Sequence, residues 1–116
     1  MPEVNRTKRV ASRILTGLLS LLFVFAGATK LIGSEEVLKG FQQFGFPDWF
    51  RIFIGVCEVA GGIGLWIGTL ALWAIAGLEV IMAGAIWTVV SIGQPPVLPL
   101  VVGLLLGVDA WLRRSA

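Results

Sequence analysis

The sequence has 116 residues, of which 57% are hydrophobic and only 14% are charged, and its mean hydropathy is +0.92. A soluble domain of this size cannot bury so much apolar surface, whereas a lipid bilayer accommodates it. The net charge of +2 does not indicate a nucleic-acid partner, because the basic residues cluster at the two chain ends, where they typically flank membrane spans and contact anionic headgroups.

The chain has a single cysteine, Cys57, and no histidine. An internal disulfide, a CxxC redox pair and a Cys/His metal site therefore lack the residues that they need. The sequence also has no Ser-His-Asp or Cys-His arrangement and no phosphate-binding loop. We expect no metal site, no catalytic residues and no self-contained enzyme, which leaves a non-catalytic protein or one subunit of an oxidoreductase.

The first predicted span covers about residues 14–32, close to the ~20 residues that a membrane-crossing helix needs. It also resembles a secretory signal, because a basic segment and an apolar stretch lead to the small residues Ala26-Gly27-Ala28. The apolar stretch is longer than that of a typical signal, and three further spans follow. We therefore favour an uncleaved helix over a cleaved signal peptide.

Residues 34–44 predict a short amphipathic helix between the first and second spans, with Ser34 as a candidate N-cap. Its apolar residues recur at helical spacing: Val37, Leu38, Phe41 and Phe44. Such a helix lies on the membrane surface or covers the end of a helix bundle, and both alternatives are open. Gly45-Phe46-Pro47 ends it, and Asp48 is expected to cap the next helix.

The second, third and fourth spans are predicted over about residues 50–67, 70–92 and 97–112. The breaks between them are Gly68-Thr69 and Gly93-Gln94-Pro95-Pro96. The predicted fold is thus all-α: an integral membrane four-helix bundle, with one transmembrane domain over residues 1–116. Small residues along the helices, such as Gly103 and Gly107, predict close packing and a face on which a second copy could dock as a homo-oligomer.

The basic residues predict the orientation in the membrane. Six of them flank the outer ends of the first and last helices: Arg6, Lys8, Arg9, Arg13, Arg113 and Arg114. By the positive-inside rule, both termini are cytoplasmic, and the protein is a multi-pass protein of the cell (inner) membrane. The tryptophans agree with two interfacial belts: Trp66, Trp73 and Trp111 on the inner side, Trp49 and Trp87 on the outer side.

Ionisable residues inside the spans are the candidate functional residues. A charge at mid-bilayer costs ~2.5 kcal/mol or more on insertion scales, so each needs a partner, a cavity or neutralisation. Asp109 is expected to pair with Arg113 one turn later. Lys30 is expected either to pair with Glu58 or to extend to the headgroups.

Glu58 is predicted ~12 Å into the second span, and Glu79 ~14 Å into the third span, which enters the membrane from the opposite side. In a hydrocarbon core ~30 Å thick, the two residues therefore fall at similar depths. Both carboxyl groups could point into the bundle and share a dry site, where one would stay protonated and donate a hydrogen bond. That arrangement suits a proton relay or the binding of an amphipathic ligand's polar group. Alternatively, the pair only holds two helices together, with Lys30 as counter-ion. Lys30, Glu58 and Glu79 are therefore the predicted ligand-binding or proton site.

Four motifs resemble the pattern of the DoxX-like family of small four-helix membrane proteins. They are Phe25-Ala26-Gly27-Ala28-Thr29-Lys30-Leu31, Phe44-Gly45-Phe46-Pro47, Gly55-Val56-Cys57-Glu58-Val59-Ala60-Gly61-Gly62, and Ala83-Gly84-Ala85. In the family's pattern, a G-x-x-K-L element ends the first helix, a G-x-P element precedes the second, and an E-x-x-G-G element lies within the second. The resemblance marks Lys30 and Glu58 as a pair. Where many relatives have a histidine in the third span, this chain has Ile86-Trp87-Thr88, which argues against a haem or metal role.

The family is named after a subunit associated with thiosulfate:quinone oxidoreduction, and some relatives are linked to redox stress or to assisting other membrane proteins. The leading hypothesis is a non-catalytic membrane component that binds a quinone or a lipid near Lys30, Glu58 and Glu79, within a membrane redox complex. Quinone is the cofactor that this resemblance suggests. The alternatives are a structural or chaperone-like membrane partner, or a small proton-coupled transporter with a water path to Glu58 or Glu79.

Overall fold

The computed structural model describes residues 2–115, with the side chains of residues 6–113. Within this part the protein is all-α and has no strand. Its five helices are α1 (Pro2–Ile32), α2 (Glu35–Gln43), α3 (Asp48–Gly64), α4 (Ala71–Ser91) and α5 (Val97–Ser115). Two of them are long and apolar enough to cross a membrane by length and composition: α1 over Arg6–Ile32, and α4.

Helix α1 begins well before the predicted span. Proline is tolerated in the first turn of a helix, and the basic residues that follow Pro2 are good helix formers. Its 31 residues extend over about 46 Å at 1.5 Å per residue, more than the ~30 Å of a hydrocarbon core. The helix ends at Ile32, and the next residue, Gly33, has φ +76° and donates its N–H to the Thr29 carbonyl at 3.0 Å.

The caps of α2 and α3 differ from the expected ones. Ser34 occupies the N-cap of α2, but its side chain makes no capping hydrogen bond. The prediction that Asp48 caps α3 is wrong, since Pro47 is the N-cap and Asp48 is the first helical residue. Proline suits a position that needs no N–H donor, and the Asp48 carboxylate still lies near the positive end of the helix dipole.

An aromatic cluster joins the end of α2 to the start of α3. The Phe46 ring lies 4.9 Å from the Phe50 ring and 5.9 Å from the Phe41 ring, between ring centroids. Trp49 contacts Phe50 edge-on at 5.8 Å. No residue of α2 itself is buried, so these ring contacts fix the short helix to α3 without placing it in the core.

The three helices α3, α4 and α5 follow the predicted breaks closely. Helix α3 ends at Gly64, and residues 65–70 continue as a series of tight turns, such as the one in which the Ile67 N–H donates to the Gly64 carbonyl at 3.1 Å. Helix α4 starts one residue after its predicted position, and α5 starts at Val97 as predicted. Gly93, with φ +78°, makes the turn before the two prolines.

The four long helices contact one another in a ring, in which α1 packs against α3 and α5, and α4 packs against the same two helices. A small core fills the ring: Leu19, Phe23, Leu65, Ile75, Leu78, Val102 and Leu106. We call the end of the ring where α1 begins and α5 ends the terminal end, and the opposite end the α2 end. Among the described side chains, thirty large hydrophobic ones are exposed, far more than are buried, and all five tryptophans are among them.

Helices α1 and α3 approach closely because glycines face each other. A Cβ atom added at Gly27 would lie 2.6 Å from the Gly55 carbonyl oxygen, and one added at Gly62 would lie 3.1 Å from the Ser20 carbonyl oxygen. The Ser20 hydroxyl in turn donates to the Gly62 carbonyl at 2.9 Å. The predicted small-residue packing therefore forms between these two helices.

Candidate functional site

Lys30 and Glu58 form an ion pair between α1 and α3. The Lys30 Nζ lies 3.0 Å from Glu58 Oε1 and donates a hydrogen bond to Oε2 at 3.1 Å. Glu58 is buried, while the lysine side chain is 21% exposed. The Arg51 guanidinium donates to the Lys30 backbone carbonyl at the end of α1. Of the two alternatives for Lys30, pairing with Glu58 is therefore the one that the structure shows.

Glu79 lies elsewhere, against α5. Its Oε1 is 3.4 Å from the point that a Cβ atom on Gly103 would occupy. This oxygen is buried and has no hydrogen-bond partner among the described residues. Glu58 and Glu79 are thus not hydrogen-bonded to each other, because they lie on different faces of their helices: Glu58 faces α1 and Glu79 faces α5.

The Glu79 carboxyl group lies in an apolar groove of about 220 Å³ between α4 and α5. The other lining residues are apolar: Met82, Ala83, Ile86, Leu100, Gly103 and Leu104. Three of them are exposed, so the groove opens to the outside of the ring: Ala83, Leu100 and Leu104. In this Glu79 groove, the Glu79 Oε1 atom without a hydrogen-bond partner lies among apolar walls. Binding sites for amphipathic ligands have the same combination of a polar group and apolar walls.

A buried polar network connects α1, α3 and α5 at the terminal end. Asp109 is fully buried and accepts hydrogen bonds from the Ser12 hydroxyl at 2.8 Å and the Thr16 hydroxyl at 3.0 Å. Arg113 Nη2 donates to the Asp109 carboxylate at 3.3 Å, to the Thr16 hydroxyl at 2.6 Å and to the Leu65 carbonyl at 2.7 Å. We call this set the Asp109 network.

The predicted pairing of Asp109 with Arg113 is confirmed, with Arg113 Nε 3.3 Å from Asp109 Oδ1. The two hydroxyl partners were missed. Ser12, Thr16 and Ser20 follow one another at four-residue spacing in α1, which places them on one face of the helix. That spacing was the signal that could have predicted a polar contact surface on the first helix.

No group of three Asp, Glu, Cys or His side chains in the described part of the chain could hold a metal ion. Cys57 is a free, half-buried cysteine on α3. The candidates for a functional site among the described residues are the Lys30–Glu58 pair, the Glu79 groove and the Asp109 network.

The sequence model of the DoxX-like family matches residues 14–110, from the middle of α1 to near the end of α5. The chain belongs to the DoxX-like family. No curated protein and no solved structure matches it significantly.

In this DoxX-like protein, two of the four motifs that carry the resemblance, the first and the third, meet at the contact between α1 and α3. Gly27 of the first motif packs against Gly55, and Lys30 pairs with Glu58. Gly62 of the E-x-x-G-G element lies against the backbone of α1. These motif residues therefore hold two helices together by an ion pair and by close backbone packing.

Proposed function

We propose that this DoxX-like protein is a four-span integral membrane protein that binds a lipophilic ligand with a polar head, such as a quinone or a lipid, in the Glu79 groove. The observation that carries this proposal is the buried Glu79 Oε1, which has no hydrogen-bond partner among the described residues and lies in an otherwise apolar groove. The protein does not catalyse a reaction by itself but binds and orients the ligand.

The energetics support a ligand at this position. A buried polar atom without a partner costs about 1–3 kcal/mol. A ligand hydroxyl could donate to the Glu79 carboxylate, and a ligand carbonyl could accept from the protonated acid, so both the reduced and the oxidised form of a quinone suit the site. The apolar walls would contact the rest of the ring or the hydrocarbon tail.

The surface of the ring supports insertion into a membrane. Its exposed residues are mostly large and apolar, which is unusual for a water-soluble monomer. Exposed tryptophans lie near both ends of the helices, as expected for interfacial belts. In a bilayer the open side of the Glu79 groove would face the acyl chains, so a lipophilic ligand could enter from the membrane.

Lys30 and Glu58 have a different part in this proposal. Each provides the other's counter-charge, so the pair stabilises the contact of α1 with α3 and leaves ligand binding to Glu79. If the ligand is a quinone, a partner protein would supply the electrons within a membrane redox complex. The role of this chain would be to hold the quinone in a fixed orientation.

The test compares two glycines one turn apart on α5. Leucine at Gly103 would fill the Glu79 groove, whereas leucine at Gly107 would extend into open space. Wild-type protein and both variants are purified from membranes, and bound quinones and lipids are measured by native mass spectrometry and solvent extraction. We expect Gly103→Leu to lose the ligand and Gly107→Leu to retain it.

Two further variants test the polar contact. Glu79→Leu should weaken ligand binding about tenfold or more, since a hydrogen bond to a charged group contributes about 1.5–3 kcal/mol. Glu79→Gln keeps a donor and an acceptor and should lose less. Equal ligand content in the Gly103→Leu and Gly107→Leu proteins, or a wild type that binds neither quinone nor lipid, would refute the proposal.

A further inference from the structure

A cavity of about 390 Å³ opens at the terminal end of the ring, on the side where α1 passes α5 and the end of α3. Three arginines line it: Arg9 and Arg13 from α1, and Arg113 from α5. Ser12 and Thr16 of α1 also line it, and Trp66 forms an apolar wall. The cavity is separate from the Glu79 groove and shares no residue with it.

The charges around this cavity are unbalanced. Arg9 and Arg13 are one helical turn apart and exposed, and neither has an ion pair or hydrogen bond among the described residues. Among the described side chains, Asp109 is the one carboxylate with an ion pair or hydrogen bond to the cavity lining, and it is already paired with Arg113. Like charges four residues apart on a helix repel each other, so an anion between them would stabilise the arrangement.

The Asp109 network prepares the cavity for an anion rather than a cation. The Ser12 and Thr16 hydroxyls donate to Asp109, so this carboxylate is already satisfied by partners on α1. The groups left to bind a ligand are the guanidinium N–H donors of Arg9 and Arg13. Arg113 Nε is not among them, because it lies 3.3 Å from Asp109 Oδ1 in the ion pair.

We infer that this cavity binds a phosphate group. Guanidinium groups donate pairs of N–H bonds whose spacing matches phosphate oxygens, and Trp66 offers apolar contact to the carbon atoms next to the phosphate. The phosphate could belong to the headgroup of an anionic phospholipid or to a soluble phosphomonoester. In the proposed topology the terminal end is cytoplasmic, the side on which anionic lipids attract basic residues.

The experiment uses the full-length protein in neutral detergent at physiological salt, with two ligands that share the phosphate. Phosphatidylglycerol binding is measured by native mass spectrometry, and glycerol 3-phosphate binding by titration calorimetry. The variants are Arg9→Gln and Arg13→Gln, and the matched control is Arg6→Gln, an exposed arginine of the same helix outside the cavity. Thermal unfolding checks that all four proteins are equally folded.

We expect Arg9→Gln and Arg13→Gln each to weaken binding on the order of tenfold, as loss of a charged hydrogen bond predicts, and Arg6→Gln to bind like wild type. Binding of phosphatidylglycerol alone identifies a lipid as the source of the phosphate, and binding of glycerol 3-phosphate identifies a soluble ligand. If neither ligand binds, or if Arg6→Gln weakens binding as much as the other two variants, the inference is overturned. Because the Glu79 groove is not involved, this result is independent of the proposed function.

Discussion

The charged side chains within the helices differ in how fully their neighbours satisfy them. Glu58 has a lysine as counter-ion, and Asp109 has two hydroxyl donors and an arginine. Glu79 has one buried oxygen without a partner. Since a buried charge is tolerated only with compensation, the first two are elements of the fold, and Glu79 is the residue most in need of a ligand.

Replacing Asp109 should strongly destabilise the protein. Asp109→Leu removes the acceptor for Ser12 and Thr16 and leaves Arg113 without its carboxylate, so we expect a loss of about 3–5 kcal/mol in the free energy of unfolding. The measurement is unfolding in mixed detergent micelles followed by helical circular dichroism. Glu36→Leu, which replaces an exposed carboxylate on α2, serves as the control and should change stability little. Similar stability of the two variants would contradict this role of Asp109.

The Lys30–Glu58 pair should behave as a coupled unit. Lys30→Met leaves a buried carboxylate without a counter-ion and should cost about 3 kcal/mol or more. Lys30→Met combined with Glu58→Leu removes both charges and should be more stable than the single lysine variant. A double-mutant cycle on unfolding free energies measures the coupling. Strictly additive effects of the two substitutions would mean that the pair contributes nothing as a pair.

From their similar predicted depths, Glu58 and Glu79 were expected to share a site, whereas in the structure Glu58 pairs with Lys30 and Glu79 lies against α5. Depth follows from counting residues along a helix, whereas the face that a residue presents depends on how each helix is rotated in the ring. That rotation is set by tertiary contacts, such as Gly61 of α3 against Leu78 of α4. The pairing of Lys30 with Glu58 was one of two open alternatives, and the structure decides between them.

At the scale of the helices, the contact between α1 and α3 is a close backbone approach. It depends on glycines that no other residue can replace without moving a helix, because a Cβ at Gly27 would meet backbone rather than a flexible side chain. The Lys30–Glu58 pair lies next to this contact, within one turn of Gly27 and Gly55. Packing and electrostatics therefore fix the same pair of helices.

Two glycine-to-alanine substitutions should have opposite effects. Gly27→Ala places a methyl group 2.6 Å from the Gly55 carbonyl oxygen and should separate α1 from α3, with a loss of stability of roughly 1–3 kcal/mol. Gly77→Ala on α4 meets no atom within 4 Å and should be neutral or stabilise the helix by up to about 1 kcal/mol. Thermal unfolding of both variants in detergent compares them. An unaffected Gly27→Ala protein would rule out the close contact.

Helix boundaries were predictable where glycine and proline mark them and less predictable elsewhere. Gly45 and Gly93 belong to predicted breaks and adopt positive φ at the ends of helices, as Gly33 also does. The start of α1 was not predicted, because hydropathy detects the apolar part of a helix and not its polar extension. The cap of α3 was misassigned because Pro47 and Asp48 both favour the beginning of a helix.

At the scale of the whole molecule, the apolar surface and the two ends have distinct characters. The sides of the ring are apolar, the terminal end has the arginine-lined cavity, and the α2 end has the aromatic cluster. Near the terminal end Lys8 of α1 also lies over the Trp111 ring of α5, with Nζ 4.9 Å from the ring centroid. This asymmetry is the basis for the proposed orientation in a membrane.

The orientation can be measured with cysteine labelling in a Cys57→Ala background. Gln43→Cys reports on α2, and Thr69→Cys reports on the turn between α3 and α4 at the terminal end. A membrane-impermeant maleimide should label Gln43→Cys in intact cells and Thr69→Cys only after permeabilisation, because the basic terminal end is expected in the cytoplasm. The reverse pattern would show the opposite orientation, and labelling of both sites in intact cells would argue against a sealed four-span topology.

The ion pair between α1 and α3 also bears on how the protein is made. In the proposed membrane topology, α1 leaves the ribosome before α3 does, so Lys30 reaches the translocation machinery while Glu58 is still inside the ribosome and cannot act as its counter-ion. Its position near the end of the helix lets the ammonium group stay at the headgroups until α3 arrives. Stable integration of the first helix would then depend on the second span, and nascent chains truncated before Glu58 should be retained in the bilayer less efficiently than longer ones.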